Sequence, residues 1–394
     1  MRRIAANYIF PVSGKPIRNG ILEVEDDGTV RKLYDFGGEM VELAHTEFLN
    51  GVLVPGFINM HTHLELAHHS QITPPGKGLA HFIKFIISQR DTQATQTELR
   101  KADNYMYRNG IVAACDISNT TRTIEVKQQS KIHYHTFTEV SGLIPEVAQK
   151  RLSHIRAILS AFRDAGLAAS IAPHAPYSIS EELWKTLAPI FQKGEITTIH
   201  NQESEEENLM FEQGQSALTE AFNDLGIMDR HWQKKGKRSL PYILQWLNGA
   251  RLLLVHNTFT NQSDLEYVKA RTKQPTGFVL CPTSNKQIEN QLPNTDAIRQ
   301  MSSLIMLGTD SSASGHSLSL LPEMYVLQEE KNVPFVELLE WATANAARFM
   351  GWRNLGAFEP GFLQHTILEN GYPALALSSK EELNLGGRLP LISG

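Results

Sequence analysis

Four apolar runs in this chain each stop on a residue able to bind a metal. They are Val54-Pro-Gly-Phe-Ile-Asn-Met-His61-Thr-His63, Ile196-Thr-Thr-Ile-His200, Leu252-Leu-Leu-Val-His256 and Leu304-Ile-Met-Leu-Gly-Thr-Asp310. Runs this short and rich in β-branched residues read as strands buried on both faces, the pattern of a parallel sheet covered by helices. Four more such runs lie between them: Ile111-Val-Ala-Ala-Cys-Asp116, His133-Tyr-His-Thr-Phe-Thr-Glu139, Ala168-Ala-Ser-Ile-Ala-Pro-His174 and Gly277-Phe-Val-Leu-Cys-Pro282. The total is eight. The intervening stretches are amphipathic and helix-rich, over 79–108, 146–165, 181–192, 205–222, 264–271, 295–301 and 318–330. Eight strands alternating with helices predict an α/β fold, a closed (β/α)8 TIM barrel, whose chemistry gathers at the strand C-termini.

His61 and His63 open the case for chemistry. Side chains alternate across a strand, so residues two apart face the same way and both imidazoles can turn to one ion. Alone, such a pair is equally readable as structural. Its meaning depends on the ligand-ended runs downstream.

Composition narrows the function classes. A chain of 394 residues with 41% hydrophobic content can bury a large core, enough for one barrel and a small accessory domain. A net charge of -5, from 37 basic and 42 acidic residues, gives no electrostatic footprint for a nucleic acid polymer. The one basic cluster, Lys234-Lys-Gly-Lys-Arg238, reads as a solvated loop. Only Cys115 and Cys281 are present, at the ends of different strands, so no disulfide framework is expected and a reducing compartment is. No apolar run approaches the roughly 18 residues of a membrane span, and the N-terminus lacks the apolar core of a secretion signal. The expected location is cytoplasmic, with no membrane partner.

Six motifs then carry a resemblance: Pro55-Gly-Phe-Ile-Asn-Met-His61-Thr-His63, Pro173-His174-Ala-Pro-Tyr-Ser178, His200-x-x-Glu203, Leu254-Val-His256, Cys281-Pro-x-Ser-Asn285 and Leu307-Gly-Thr-Asp310-Ser311. In this order they resemble the amidohydrolase superfamily. More narrowly, they are similar to its deaminase and chlorohydrolase branch, with its cytosine, guanine, adenosylhomocysteine and aminodeoxyfutalosine deaminases. The resemblance implies a small β-sandwich domain formed from both chain termini, residues 1–50 and 355–394, beside a hydrolase barrel over 51–354. The strand-like pieces Ile21-Leu-Glu-Val-Glu25 and Thr29-Val-Arg-Lys-Leu33, set off by Asn19-Gly20 and Asp26-Asp-Gly28, fit such a domain. Near its other end the chain departs from the family, reading Phe362-Leu-Gln-His-Thr-Ile-Leu368 where an Ala-Asp step is usual. A homodimer is what the resemblance implies for assembly.

Within the resemblance the metal ligands are His61, His63, His200 and Asp310. A nitrogen-rich set with one carboxylate suits Zn(II) first and Fe(II) second, ahead of oxygen-seeking Mg(II). Binuclear members carry a carbamylated lysine at the end of strand four, where this chain has Ala172-Pro-His174, so one divalent metal is expected. Coordination brings the pKa of water from 15.7 to about 7 and makes hydroxide the attacking group. Glu203, three residues past His200, is expected to relay the water proton toward a substrate ring nitrogen and the departing ammonia. Its other reading is an acidic residue favoured near a helix start, as for Glu205 to Glu207. His256 is expected to hydrogen-bond the water and substrate rather than bind metal, and Asp310 both to bind metal and to accept a proton. Glu65, His174, Asn285 and Ser311 are the candidate substrate contacts, with a capping role open for Glu65 and a supporting hydrogen bond open for His174. Phe82 and Phe85, at helical spacing, read as packing first and pocket wall second.

Three functions are consistent with these residues. The first is a hydrolytic deaminase releasing ammonia from an aminated purine or nucleoside-like heterocycle, with the stretches His63-Leu-Glu-Leu66 and Pro75-Gly-Lys-Gly78 most similar to aminodeoxyfutalosine deaminase. The second is a cyclic amidase or chlorohydrolase using the same mononuclear site. The third, a metal-binding pseudoenzyme without catalysis, does not account for a proton relay beside a full ligand set.

Overall fold

The computed structural model describes residues 1–360, apart from 27, 70–73, 90, 91 and 316, together with the backbone of Ala374–Leu375. The eight expected strands form: Phe57–Thr62, Ile111–Ser118, His133–Val140, Ala168–Pro173, Ile196–Asn201, Arg251–His256, Thr276–Leu280 and Ile305–Leu307. We number them one to eight in that order. Strands one to four make one parallel sheet and strands five to eight another.

Two seams close these sheets on each other. The backbone N of His200 donates to the carbonyl of His174 at 3.0 Å, joining strand five to the end of strand four. Thr309 and Asp310 both donate from backbone N to the carbonyl of His61, at 2.9 and 3.0 Å, joining the end of strand eight to strand one. The second seam is unusually close. A Cβ on Gly308 would lie 2.7 Å from His61 Cβ and 2.9 Å from His61 O, so glycine lets the Asp310 turn approach the His61 strand.

Alternation along the strands splits the core into two layers. Ile58, Met60, Ala113, Cys115, Phe137 and Val255 belong to one buried cluster, while Phe57, Ile111, Ala114, Tyr134 and Leu254 join a larger one with the helices. Covering both faces is why the strands read as unbroken apolar runs. Cys115 and Cys281 are buried and free.

The helices differ from expectation where the chain has stop signals. The span 79–108 is two helices, Leu79–Ser88 and Gln96–Arg108, because Thr95 and Glu98 form a capping box that starts the second. The span 205–222 breaks likewise after Glu205–Gln213, at Gly214 in the left-handed region, and resumes as Ala217–Asp224. The basic cluster is not a freely solvated loop. Arg238 Nε donates to the buried Asp264 at 2.8 Å, and Lys235 lies 3.6 Å from Glu181.

The N-terminal residues build a separate sheet from Arg2–Ile9, Ile17–Arg18, Ile21–Val24, Val30–Tyr34 and Thr46–Leu53. Its last strand runs past residue 50 into the barrel segment, and Ala374–Leu375 pairs with that strand antiparallel. Phe358 returns to pack with Ile4, Ile9, Leu22 and Leu53. The described residues here form one sheet with this cluster; most of the expected C-terminal half of the small domain, including Phe362 to Leu368 where the chain leaves the family pattern, lies outside the described residues. Among the described residues no helix is long and apolar enough to cross a membrane.

Candidate metal centre and active-site cavity

At the C-terminal mouth of the barrel four strands bring their terminal ligands together. His61 Nε2 lies 3.2 Å from His63 Nε2 and 3.3 Å from Asp310 Oδ1; His63 Nε2 lies 3.3 Å from the same oxygen and 3.4 Å from His200 Nε2. His256 adds a fifth donor: ligand atoms of His61, His200, His256 and Asp310 all fall within 4.8 Å of one another. All but His63 are buried.

Surrounding bonds fix which nitrogen faces inward. His200 donates from Nδ1 to the carbonyl of His174 at 2.7 Å, leaving a lone pair on Nε2. His256 Nδ1 pairs with Asn285 Oδ1 at 2.9 Å, so its Nε2 also carries a lone pair, and that atom is buried with no hydrogen-bond partner. Ser284 donates to Asp310 Oδ2 at 2.7 Å and Ser314 donates to the same oxygen, which leaves Oδ1 for the cluster. Left-handed backbone at His256 (φ 71°), Asn257 (φ 58°), Asp310 (φ 56°) and Gln202 (φ 46°) turns the chain sharply at these exits. Such conformations cost on the order of 1–3 kcal/mol each and collect at functional sites.

Protonation completes the donor set. Burial drives His61 down to about 4 and lowers His200 and His256, so these imidazoles are neutral at pH 7. Burial alone would raise Asp310, but the hydrogen bond with His61 and the surrounding imidazoles outweigh it and hold the carboxyl well below its usual range. Neutral imidazoles around an ionised carboxylate are the state that metal binding requires. The donors present therefore fit one divalent ion.

Glu203 stands beside the cluster, not in it. Its Oε1 is 3.7 Å from His256 Nε2, and burial, reinforced by Asp310 and Glu289, pushes its carboxyl well above the usual range. Gln202 sets the turn that delivers it. Every polar group of Gln202 is bonded: its N to Glu207 at 3.0 Å, its Nε2 to Asn208 and Asp264 at 3.0 and 2.9 Å, its Oε1 from Thr260 at 2.7 Å and its O from Phe259 N at 2.9 Å. Nothing in the His-x-x-Glu spacing marks this residue; the polar glutamine before Glu203 was the only signal.

Burial also pushes Glu207 up to about 8. A carboxyl whose folded pKa exceeds its unfolded value stabilises the fold below the unfolded value, and that contribution is lost as pH rises through the folded one. Between about pH 4.5 and 8 the Glu207 contribution therefore falls. In Glu207→Gln, urea midpoints measured across that window should decline less with pH than in the parent.

A cavity of about 530 Å³ opens above the cluster, lined by His63, His200, Glu203 and Asp310. Leu79, Phe82, Ile83, Ile86 and Ile87 give it an apolar wall, with Arg151 and His154 also lining it. Phe82 is thus pocket wall, whereas Phe85 lies against His69 and does not line the cavity. Of the expected substrate contacts, His174 and Ser311 line it. The other two are placed elsewhere. Glu65 accepts hydrogen bonds from the backbone N of Asn119 and Thr120, at 2.9 and 3.0 Å, and from the Thr120 hydroxyl, so it holds the loop after strand two. Asn285 is fully buried and orients His256. Glu139, at the end of strand three, lines the cavity and carried no motif to mark it.

A parallel barrel with a histidine–aspartate cluster at its strand C-termini defines the metal-hydrolase class of TIM-barrel proteins. The Amidohydrolase family matches residues 52–370, and the chain belongs to that family. It is thereby a hydrolase of the kind acting on carbon–nitrogen bonds other than peptide bonds. It is 24% identical over 310 residues to an adenosine deaminase of Helicobacter pylori, covering 76% of this chain and 74% of the relative. In fold it is similar to Helicobacter pylori aminofutalosine deaminase in complex with methylthio-coformycin (TM-score 0.80, 20% identity, 92% of this chain and 90% of the other). It is also similar in fold to the atrazine chlorohydrolase of Arthrobacter aurescens complexed with zinc (TM-score 0.69, 14% identity, 92% and 86%).

Proposed function

We propose that this chain is a hydrolytic deaminase that releases ammonia from an aminated purine or nucleoside-like heterocycle. The observation that carries the proposal is Glu203: a buried carboxyl outside the ligand cluster that lines the substrate cavity 3.7 Å from His256 Nε2, with burial favouring its protonated form. Ammonia leaves a ring carbon only once protonated, so the reaction needs a general acid within reach of both ring and leaving group. A deaminase relative and a neighbour bound to methylthio-coformycin support the same reading.

His61, His63, His200 and Asp310 would hold one divalent metal, zinc by the chemistry of the set, and His256 is a further donor beside them. Bound there, the metal lowers the pKa of water from 15.7 to about 7. The chain's own residues do the rest. Glu203, whose ionisation burial opposes, gives its proton to the ring nitrogen, is recharged by a proton from the attacking water, and passes that second proton to the departing amine. His256, its Nδ1 held by Asn285, presents Nε2 toward Glu203 and the reacting carbon. Asp310, ionised and anchored by Ser284 and Ser314, offers Oδ1 to the cluster and can take up a proton there. His174 and Ser311 border the substrate.

Two measurements on the purified protein test this reading. Metal analysis is expected to give one zinc per chain, and a screen of aminopurines, nucleosides and adenosine thioethers is expected to release ammonia. His256→Ala is expected to keep most of its metal and lose about 10²-fold or more in turnover. A metal-free His256→Ala protein would make His256 a ligand. A metal-loaded protein that releases no ammonia but opens cyclic amides or displaces chloride would instead establish the amidase or chlorohydrolase reading, which the zinc-bound structural neighbour favours.

A further inference from the structure

Glu323 is a core carboxyl with no part in the chemistry described so far. It is 1% exposed and sits on the helix Leu320–Lys331 that follows strand eight. Burial pushes it up to about 8, yet both of its oxygens are engaged. Oε2 accepts from the backbone N of Thr283 at 2.8 Å, and Oε1 bonds the Thr283 hydroxyl. Thr283 belongs to the first turn of Pro282–Glu289, the helix that follows strand seven. That helix begins without a cap of its own, because Cys281 at its N-cap makes no side-chain bond and Pro282 has no N–H to offer. Glu323 supplies from another element the acceptor that a local Ser or Asp would ordinarily provide.

The next two residues of that turn give the bond a further consequence. Ser284 donates to Asp310 Oδ2 at 2.7 Å, and Asn285 holds His256 Nδ1 at 2.9 Å. Successive helix residues are turned by about 100°, so fixing Thr283 fixes the rotation at which its neighbours meet the cluster. The units of strands seven and eight are thereby joined twice, by Ser284 to Asp310 and by Thr283 to Glu323. A working site needs its groups held to about 0.5 Å and 10–20°, which is what groups supporting the ligands provide. A helix start free to turn by that much would carry the partners of Asp310 and His256 with it.

We infer that Glu323 is a positioning residue for the metal centre: by holding Thr283 it sets the rotation of helix Pro282–Glu289, and with it the aim of Ser284 at Asp310 and of Asn285 at His256. The turnover measured to test this rests on the deaminase reading, whereas the zinc affinity does not.

The test measures zinc affinity by competition with a chromogenic chelator, and kcat and KM for the fastest nucleoside in the ammonia screen. It compares the parent with Glu323→Gln, Glu323→Leu and Thr283→Val. Gln can keep both bonds, its Oε1 accepting from Thr283 N and its Nε2 donating to Thr283 Oγ1, so zinc affinity and kcat are expected to stay near the parent's. Leu fills similar space and keeps neither bond. Zinc affinity and kcat are each expected to fall about 10-fold or more in it, with KM little changed. Thr283→Val, which loses only the hydroxyl bond, should fall in the same direction by less.

A merely structural role would lower the urea midpoint and leave both quantities alone in the folded protein. Parental zinc affinity and kcat in Glu323→Leu would therefore overturn the inference; should that variant not fold, parental values in Thr283→Val would do the same. A loss in Glu323→Gln as large as in Glu323→Leu would also overturn it, because the carboxyl and not its hydrogen bonds would then matter. If the zinc-loaded parent releases no ammonia from any compound, the deaminase reading falls, and the zinc affinities alone decide for or against Glu323.

Discussion

Glu203→Gln is expected to fold, keep its metal and lose about 10²–10⁴-fold in turnover, with little change in KM. Gln keeps the shape and the buried position but cannot carry a proton between water, ring nitrogen and amine. Glu203 lies outside the ligand cluster, 3.7 Å from His256 Nε2, so metal content should match the parent by elemental analysis. Loss of a buried carboxyl whose ionisation is opposed by burial should not destabilise the fold, because the neutral amide carries no charge for that burial to penalise. Parallel loss of metal and activity would recast Glu203 as a ligand. Unchanged ammonia release would remove it from the reaction altogether and take the deaminase proposal with it.

Much of this architecture is legible in the sequence because the barrel strands are apolar on both faces and end abruptly on polar residues. That pattern locates all eight strands and converges His61, His63, His200 and Asp310, whose placement depends only on strand ends meeting at one mouth. Residues whose role depends on long-range partners are not legible in this way. Glu65 sits in the most family-like stretch of the chain, yet the loop at Asn119–Thr120, more than fifty positions away, claims its carboxylate. Asn285 lies on a helix start that points it at His256, so it serves the imidazole and not the rim. Glu139 shows the reverse case. At a strand end among β-formers it reads as one more polar terminus, and only the closed barrel puts it into the cavity.

Lys127 illustrates the same limit with the largest expected cost to stability. In sequence it is an ordinary lysine of the short helix Ile124–Gln129, four residues after Thr123. In the fold its Nζ is wholly buried, 2.6 Å from Asp116 Oδ2, and it also donates to Thr136 Oγ1 at 2.8 Å and Ser118 Oγ at 3.2 Å. Asp116 in turn accepts from the backbone N of Leu64 at 2.7 Å, the residue that follows His63. The pair thus pins the exit of strand one to strand two, directly beneath half of the metal cluster. Lys127→Met would fill similar space but leave the Asp116 carboxyl in the core without its counter-charge, and breaking a buried ion pair typically costs about 3–5 kcal/mol. Urea unfolding should register a loss of about that size. The double substitution Asp116→Asn with Lys127→Met should recover a good part of it, because the uncompensated charge is gone while a polar acceptor for Leu64 remains. If the single variant were as stable as the parent, the ion pair would contribute nothing beyond packing, and the strand-one exit would be held by its remaining bonds to Asp116, Thr309 and Asp310.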